Sequence, residues 1–270
     1  MLKLIQEKPL NGSLALCLLL AVVMLSSFTA VAKPPQREYY EIRVYHVKDA
    51  AQEGVVDQYL QQAFIPALHK AGISKVGVFK PVGNDTAADR RVYVLVPYRS
   101  LDQFVQLPRQ LEADKQYAAA GAPYIDAAYN AVPYTRMETI LLQAFTGQPQ
   151  MQLPGLKGPK ADRIYELRSY EGPTEKLYRN KVQMFNKGDE VGIFKRLGFN
   201  AVFYAEVLSG SRMPNLMYMT TFENKASRDE HWKAFSSDPA WKELSAKPEY
   251  QHNVSRSEII FLYPAAYSDI

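Results

Sequence analysis

Cysteine is nearly absent: the 270 residues contain one, Cys17. Thiolate chemistry, Cys-based metal sites and disulfide scaffolds are therefore excluded for the bulk of the chain. Histidine is scarce as well, with four residues: His46, His69, His231 and His252. No two of them have the i, i+4 spacing of a helical zinc site, so no metal is expected. Lys+Arg number 32 against 28 Asp+Glu, a formal charge of +4 with no long basic run. Nucleic-acid binding, which needs cations gathered on one face, is not expected. Nucleotide-binding glycine fingerprints, P-loops, G-x-S-x-G elbows and H-E-x-x-H helices are missing too.

Long apolar runs are confined to the N-terminus. Lys3 and Lys8 precede a charge-free stretch whose apolar heart, Leu14 to Leu25, is followed by small residues and Ala30-Val31-Ala32. About a dozen apolar residues fall short of the roughly 20 that span a bilayer. The pattern is that of a secretory signal peptide over 1–32, cleaved near Ala32. A periplasmic or secreted location and no stable membrane span after cleavage follow as expectations. Cleavage would also remove Cys17. Lys33-Pro34-Pro35-Gln36 begins a short tether over 33–37.

The remainder repeats itself. Tyr39-Tyr40-Glu41-Ile42-Arg43-Val44-Tyr45 matches Ile164-Tyr165-Glu166-Leu167-Arg168-Ser169-Tyr170. Val92-Tyr93-Val94 matches Met217-Tyr218-Met219, and Tyr134-Thr135-Arg136-Met137-Glu138 matches Val254-Ser255-Arg256-Ser257-Glu258. A Gly- and Pro-rich stretch, 146–162, separates halves at 38–145 and 163–270. Alternating apolar segments and capped helical stretches give each half the order β-α-β-β-α-β, the ferredoxin-like motif. Helix-start signals include Ser100-Leu101-Asp102-Gln103, Thr174, Ser227-Arg228-Asp229-Glu230 and Asp238-Pro239. Pro66 is expected to kink or divide the first helix, and Gly121-Ala122-Pro123 to break the last helix of the first half. Each sheet covers one face with helices and leaves one bare. Packing the bare faces together gives an α+β fold in which tandem ferredoxin-like repeats form one barrel within the chain.

In the second half, Tyr165-Glu166-Leu167-Arg168-Ser169-Tyr170, Asp238-Pro239-Ala240-Trp241 and the closing strand Arg256 to Pro264 resemble the NIPSNAP family, within the dimeric α+β barrel superfamily. The likeness runs from Ile164 to Pro264. The first half departs from it, with Asp114-Lys115-Gln116-Tyr117 in place of Asp-Pro-x-Trp. The resemblance implies the barrel architecture, and with the leader it suggests a bacterial-type exported member. Animal relatives are linked to mitochondria and to protein recognition, and other superfamily members are cofactor-free oxygenases or isomerases, or bind haem.

Strand parity puts Glu41, Arg43 and Tyr45 on one face of the first strand, and Glu166, Arg168 and Tyr170 on the matching face of the fifth. Ile42, Val44, Tyr165 and Leu167 are expected to face the helices. The charged sets are then expected inside the barrel, together with Arg136, Glu138, Arg256 and Glu258. Two roles fit them: a polar cavity that binds a ligand, or an ion-pair ladder that fixes register. His231, inside a capped helix, could approach the pocket mouth. A ligand-binding or partner-binding protein without a cofactor, monomeric or homodimeric, is the leading expectation. A cofactor-free monooxygenase- or isomerase-like enzyme is the alternative.

Overall fold

The computed structural model describes residues 36–270. The expected leader, its cleavage site and Cys17 lie outside the described residues. The first half consists of β1 (Tyr39–Val47), α1 (Ala50–Tyr59), a π-helical turn (Leu60–Phe64), α2 (Ile65–Lys70), β2 (Gly77–Pro81), β3 (Arg90–Tyr98), α3 (Leu101–Ala113), α4 (Lys115–Ile125) and β4 (Arg136–Ala144). The second repeats it with β5 (Ile164–Glu171), α5 (Glu175–Asn186), α6 (Glu190–Arg196), β6 (Asn200–Ser209), β7 (Asn215–Phe222), α7 (Lys225–Ser237), α8 (Pro239–Ala246) and β8 (Arg256–Pro264).

The eight strands close into one antiparallel barrel in the order β1-β3-β2-β8-β5-β7-β6-β4. Each half contributes four consecutive strands. The seams are β2 against β8, with Phe79 opposite Pro264, and β4 against β6, with Ala144 opposite Ala205. Closure leaves no free edge among these strands, which removes the usual template for edge-to-edge association.

Helix starts follow local chemistry. Asp49, Ser100, Asp114, Thr174 and Asp238 each accept a backbone N–H of the following turn through the side chain. Asp114 therefore does in the first half what Asp238 does in the second, without the proline. Two expectations fail here. Asn224, not Ser227, caps α7, accepting from the Ser227 N–H at 2.9 Å. And α4 runs unbroken through Gly121 and Pro123. Gly121 is where α4 lies against the π turn: an added Cβ would stand 3.3 Å from that of Ala63 and 2.7 Å from the Ile125 Cδ1. Pro66 does divide the first helix, and the π turn directly precedes it.

Three apolar clusters organise the interior. One lies inside the barrel and draws on both halves, with Tyr40, Ile42, Val44, Tyr165, Leu167 and Met219 among its members. The other two lie between each half's helices and the outer sheet surface. The connecting stretch is pinned rather than loose. Met151 is buried in the barrel cluster, and the Glu38 N–H bonds the Pro149 carbonyl at 2.8 Å.

Candidate functional site at the barrel mouth

The faces are the reverse of the expectation. Ile42, Val44, Tyr165 and Leu167 point into the barrel, and Glu41, Arg43, Tyr45, Glu166, Arg168 and Tyr170 lie beneath the helices. Both faces of these strands are buried, so alternation reports parity without saying which side is which. In the second half the deciding factor is the supply of partners. The barrel interior is ringed by sheet, whereas helices can reach down with counter-charges. Arg228 on α7 places Nε 2.6 Å from Glu166 Oε2 and Nη2 2.9 Å from Oε1, and Trp232 Nε1 donates to Oε2 at 2.9 Å. Arg168 donates to Glu166 at 2.6 Å and stacks 3.7 Å above the Trp232 ring. Tyr170 takes an Arg168 hydrogen bond and meets the Tyr218 hydroxyl at 2.8 Å. In the first half, Glu41 accepts from Arg43 at 2.6 Å and from the Tyr98 hydroxyl at 2.8 Å. Tyr45 packs edge-on to Tyr124 and Tyr134. These six residues form an ion-pair and aromatic layer, not a cavity. His231 is absent from the cavity as well. Its Nδ1 meets the Ser227 carbonyl at 2.7 Å, and its ring packs on Phe199 and Phe222.

The last strands behave differently. Glu138 pairs in register with Val44 and Arg136 with His46, while Glu258 pairs with Ser169 and Arg256 with Glu171. They therefore share the interior face, at the end of the barrel where β1 and β5 finish. A cavity of about 190 Å³ opens there, and Arg136, Glu138 and Glu258 line it. Arg256 stands outside it, largely exposed, 4.0 Å from Glu171. The opposite end is filled. Tyr40 packs on Phe203 and Phe79 on Tyr165 at centroid distances of 5.2 and 4.7 Å, with Met151 and Ile270 beside them.

The cavity has an apolar floor of Val44, Ile140, Leu167, Val207, Met217 and Ile260. Polar groups ring its mouth. His46, with its side chain only 5% exposed, holds Asp89 at 2.8 Å through Nδ1. Its Nε2 faces Glu138 Oε1 at 3.3 Å in a geometry too poor for a hydrogen bond. Asp89 also takes Nε and Nη2 of Arg91 at 2.9 and 2.6 Å. Desolvation works against ionisation of Asp89, but hydrogen bonds from His46 and Arg91 and the Arg91 charge outweigh it and hold this carboxyl below its ordinary range. The remaining arm of Arg91, Nη1, lies 3.5 Å from the Tyr93 hydroxyl. Burial pushes the Tyr93 phenol up, so it stays a neutral donor. Arg212 pairs with Glu258, and Ser169 and Asn215 bond each other at 2.8 Å.

Sequence reasoning missed His46, Arg91, Tyr93 and Asn215. Matching Tyr93 with Tyr218 hid one of them. Register pairs Val44 with Tyr93 and Ser169 with Met217, so Met217 is the true counterpart of Tyr93, and Tyr218 faces the helices. With that alignment the halves differ at the mouth. His46, Arg91 and Tyr93 in the first correspond to Glu171, Asn215 and Met217 in the second. Counterparts sit four strands apart in an eight-strand ring and so oppose each other across the axis. The signal available in the sequence was this departure from repeat symmetry.

The comparisons with known proteins can now be set against this geometry. Residues 165–269 match the NIPSNAP family model. The NIPSNAP region thus spans β5 to β8, the second half of the barrel. A Fusobacterium nucleatum protein provisionally described as a monooxygenase is 9% identical, with 85% of this chain and 93% of that one covered at a TM-score of 0.54. A second protein so described, from Lactobacillus acidophilus, is 9% identical over 85% of this chain and 94% of its own, at 0.51. A NIPSNAP-like domain protein of Burkholderia xenovorans is 18% identical over 40% of this chain and 90% of its own, at 0.36. For the first two the likeness is one of fold. No curated protein matches the chain. Haem does not fit the cavity. At about 190 Å³ it has room for a small organic molecule and not for a macrocycle. Among the described residues, no group of His, Cys, Asp or Glu is placed to hold a metal, and no helix is long and apolar enough to cross a membrane.

Proposed function

We propose that this is an exported NIPSNAP-domain protein that binds a small organic molecule in the mouth of its barrel. The observation that carries this reading is Arg91 Nη1 donating to the Tyr93 hydroxyl at 3.5 Å above an apolar floor, a long bond that leaves the phenol's own O–H to a ligand. Asp89 holds Arg91 through Nε and Nη2, leaving Nη1 as its one arm without a carboxylate, and Arg136 and Arg212 are each paired with a glutamate. A ligand with a planar apolar body and an oxygen-bearing edge fits this arrangement. The body covers Leu167, Val207 and Met217, and the edge takes the two donors. Export rests on the leader-like N-terminus, and N-terminal sequencing of the exported protein should begin at Lys33. A full-length retained N-terminus would contradict it.

The binding test is a cavity filler. Val207→Phe should lower affinity for aromatic carboxylates at least tenfold by isothermal titration. The change costs about 1–3 kcal/mol of stability through overpacking and leaves the fold intact. Equal affinity in both proteins would place the ligand elsewhere.

A further inference from the structure

We infer that the barrel mouth is a proton-transfer site that enolises a 2-oxo acid carrying an aromatic ring, with His46 as the base. The inference rests on the binding reading above and adds chemistry to it.

Three features converge. First, His46 is held as a base is held. Its Nδ1 is fixed by Asp89, which sets the ring orientation and leaves Nε2 for a proton. Second, Nε2 has no hydrogen bond of proper geometry. Its one polar neighbour is Glu138, whose side chain stands on the rim, 40% exposed, and is tied otherwise only to Arg136 at 3.2 Å. Rotation of Glu138 toward solvent uncovers Nε2 to the cavity. Third, the neighbouring strand supplies the oxyanion donors. His46 and Arg91 are register partners across β1 and β3, and Arg91 Nη1 and the Tyr93 hydroxyl lie 3.5 Å apart on the cavity wall. A carbonyl oxygen between those donors brings its adjacent carbon toward His46.

The step balances without a co-reactant. His46 Nε2 takes a proton from the carbon next to the carbonyl. The C–H electron pair becomes the new C=C bond, and the carbonyl π pair moves to oxygen. Arg91 and Tyr93 stabilise that oxygen, which takes a proton from solvent to give the enol. The proton on His46 passes to water. Reversal returns the keto form. The opposite wall carries Met217, Ser169 and Asn215, and its carboxylate, Glu258, is held by Arg212, so the ring of the substrate belongs there.

The substrate class suggests phenylpyruvate as the probe. In D₂O, proton NMR follows loss of its methylene signal, and saturation transfer on the same samples reports binding. The intact protein should accelerate exchange at least tenfold over buffer. His46→Gln should return exchange to about the buffer rate with binding retained. Asp89→Asn, at a half-exposed position, should lower the acceleration about tenfold. The charged groups facing His46 are Asp89, Arg91, Glu138 and Arg136, with Glu171 and Glu258 across the mouth. If phenylpyruvate binds but exchanges no faster than in buffer, the catalytic inference fails and the binding reading stands. If His46→Gln exchanges as fast as the intact protein, His46 is not the base. Should the intact protein fail to bind phenylpyruvate at all, both readings fail for this ligand class.

Discussion

Glu166 is completely buried and still charged, held by two arginines and an indole N–H. Burial alone would raise its pKa, but hydrogen bonding to Arg228 and the charges of Arg168 and Arg228 prevail and hold it below the ordinary range. Its folded affinity for a proton is thus lower than its unfolded affinity. The stabilisation it gives is complete above the unfolded carboxylate range and disappears as pH falls through the lowered folded value. Glu190 works in the opposite sense. Complete burial raises its pKa despite Lys181 at 2.9 Å, so its contribution weakens as pH rises from the unfolded toward the folded value. Arg168→Ala should destabilise the protein by about 3 kcal/mol, the low end for breaking a buried pair because Arg228 still holds Glu166. Urea denaturation measures this. Ligand affinity should change less than twofold, since Arg168 lies across the sheet from the cavity. Unchanged stability with lost binding would reverse the assignment of faces.

Among elements, α7 is the one on which the buried Glu166 depends. Its residues Arg228 and Trp232, one turn apart, both reach Glu166. The start of α7 is set by Asn224. Asn224→Ala should cost about 1 kcal/mol, seen as a lower midpoint in urea. An undisturbed midpoint would mean that Ser227 or packing sets the helix start instead. The element order was legible in the sequence because alternation, caps and turn residues are local signals. The facing of β1 and β5 was not. Ile42 and Arg43 are both buried, on opposite sides, and only the distant Arg228-x-x-x-Trp232 pair says which side can neutralise a carboxylate. That spacing was present in the sequence and is what would have corrected the reading. For Gly121 and Pro123, local rules favoured a break, and packing against the π turn overrode them.

At the scale of the whole molecule, duplication supplies a symmetric shell, and the mouth departs from that symmetry. One end of the barrel is packed by Tyr40, Phe79, Tyr165 and Phe203, so among the described residues the barrel cavity opens at the other end. The wall it meets donates on the first-half side, through Arg91 and Tyr93, and is soft on the second-half side, at Met217. Arg136, Glu138 and Glu258 could be placed from their strand ends alone. His46, Arg91 and Tyr93 needed the register, because a one-residue error in aligning the repeats turns Tyr93 away from the cavity.

Methionine methyl NMR during a phenylpyruvate titration tests the ligand site most directly, because methionines report from each compartment. Met217 lines the cavity, Met151 lies at the filled end and Met184 lies under the helices. The Met217 signal should shift saturably while Met151 and Met184 stay in place. A stationary Met217 alongside a moving Met151 or Met184 would contradict a ligand site at the barrel mouth.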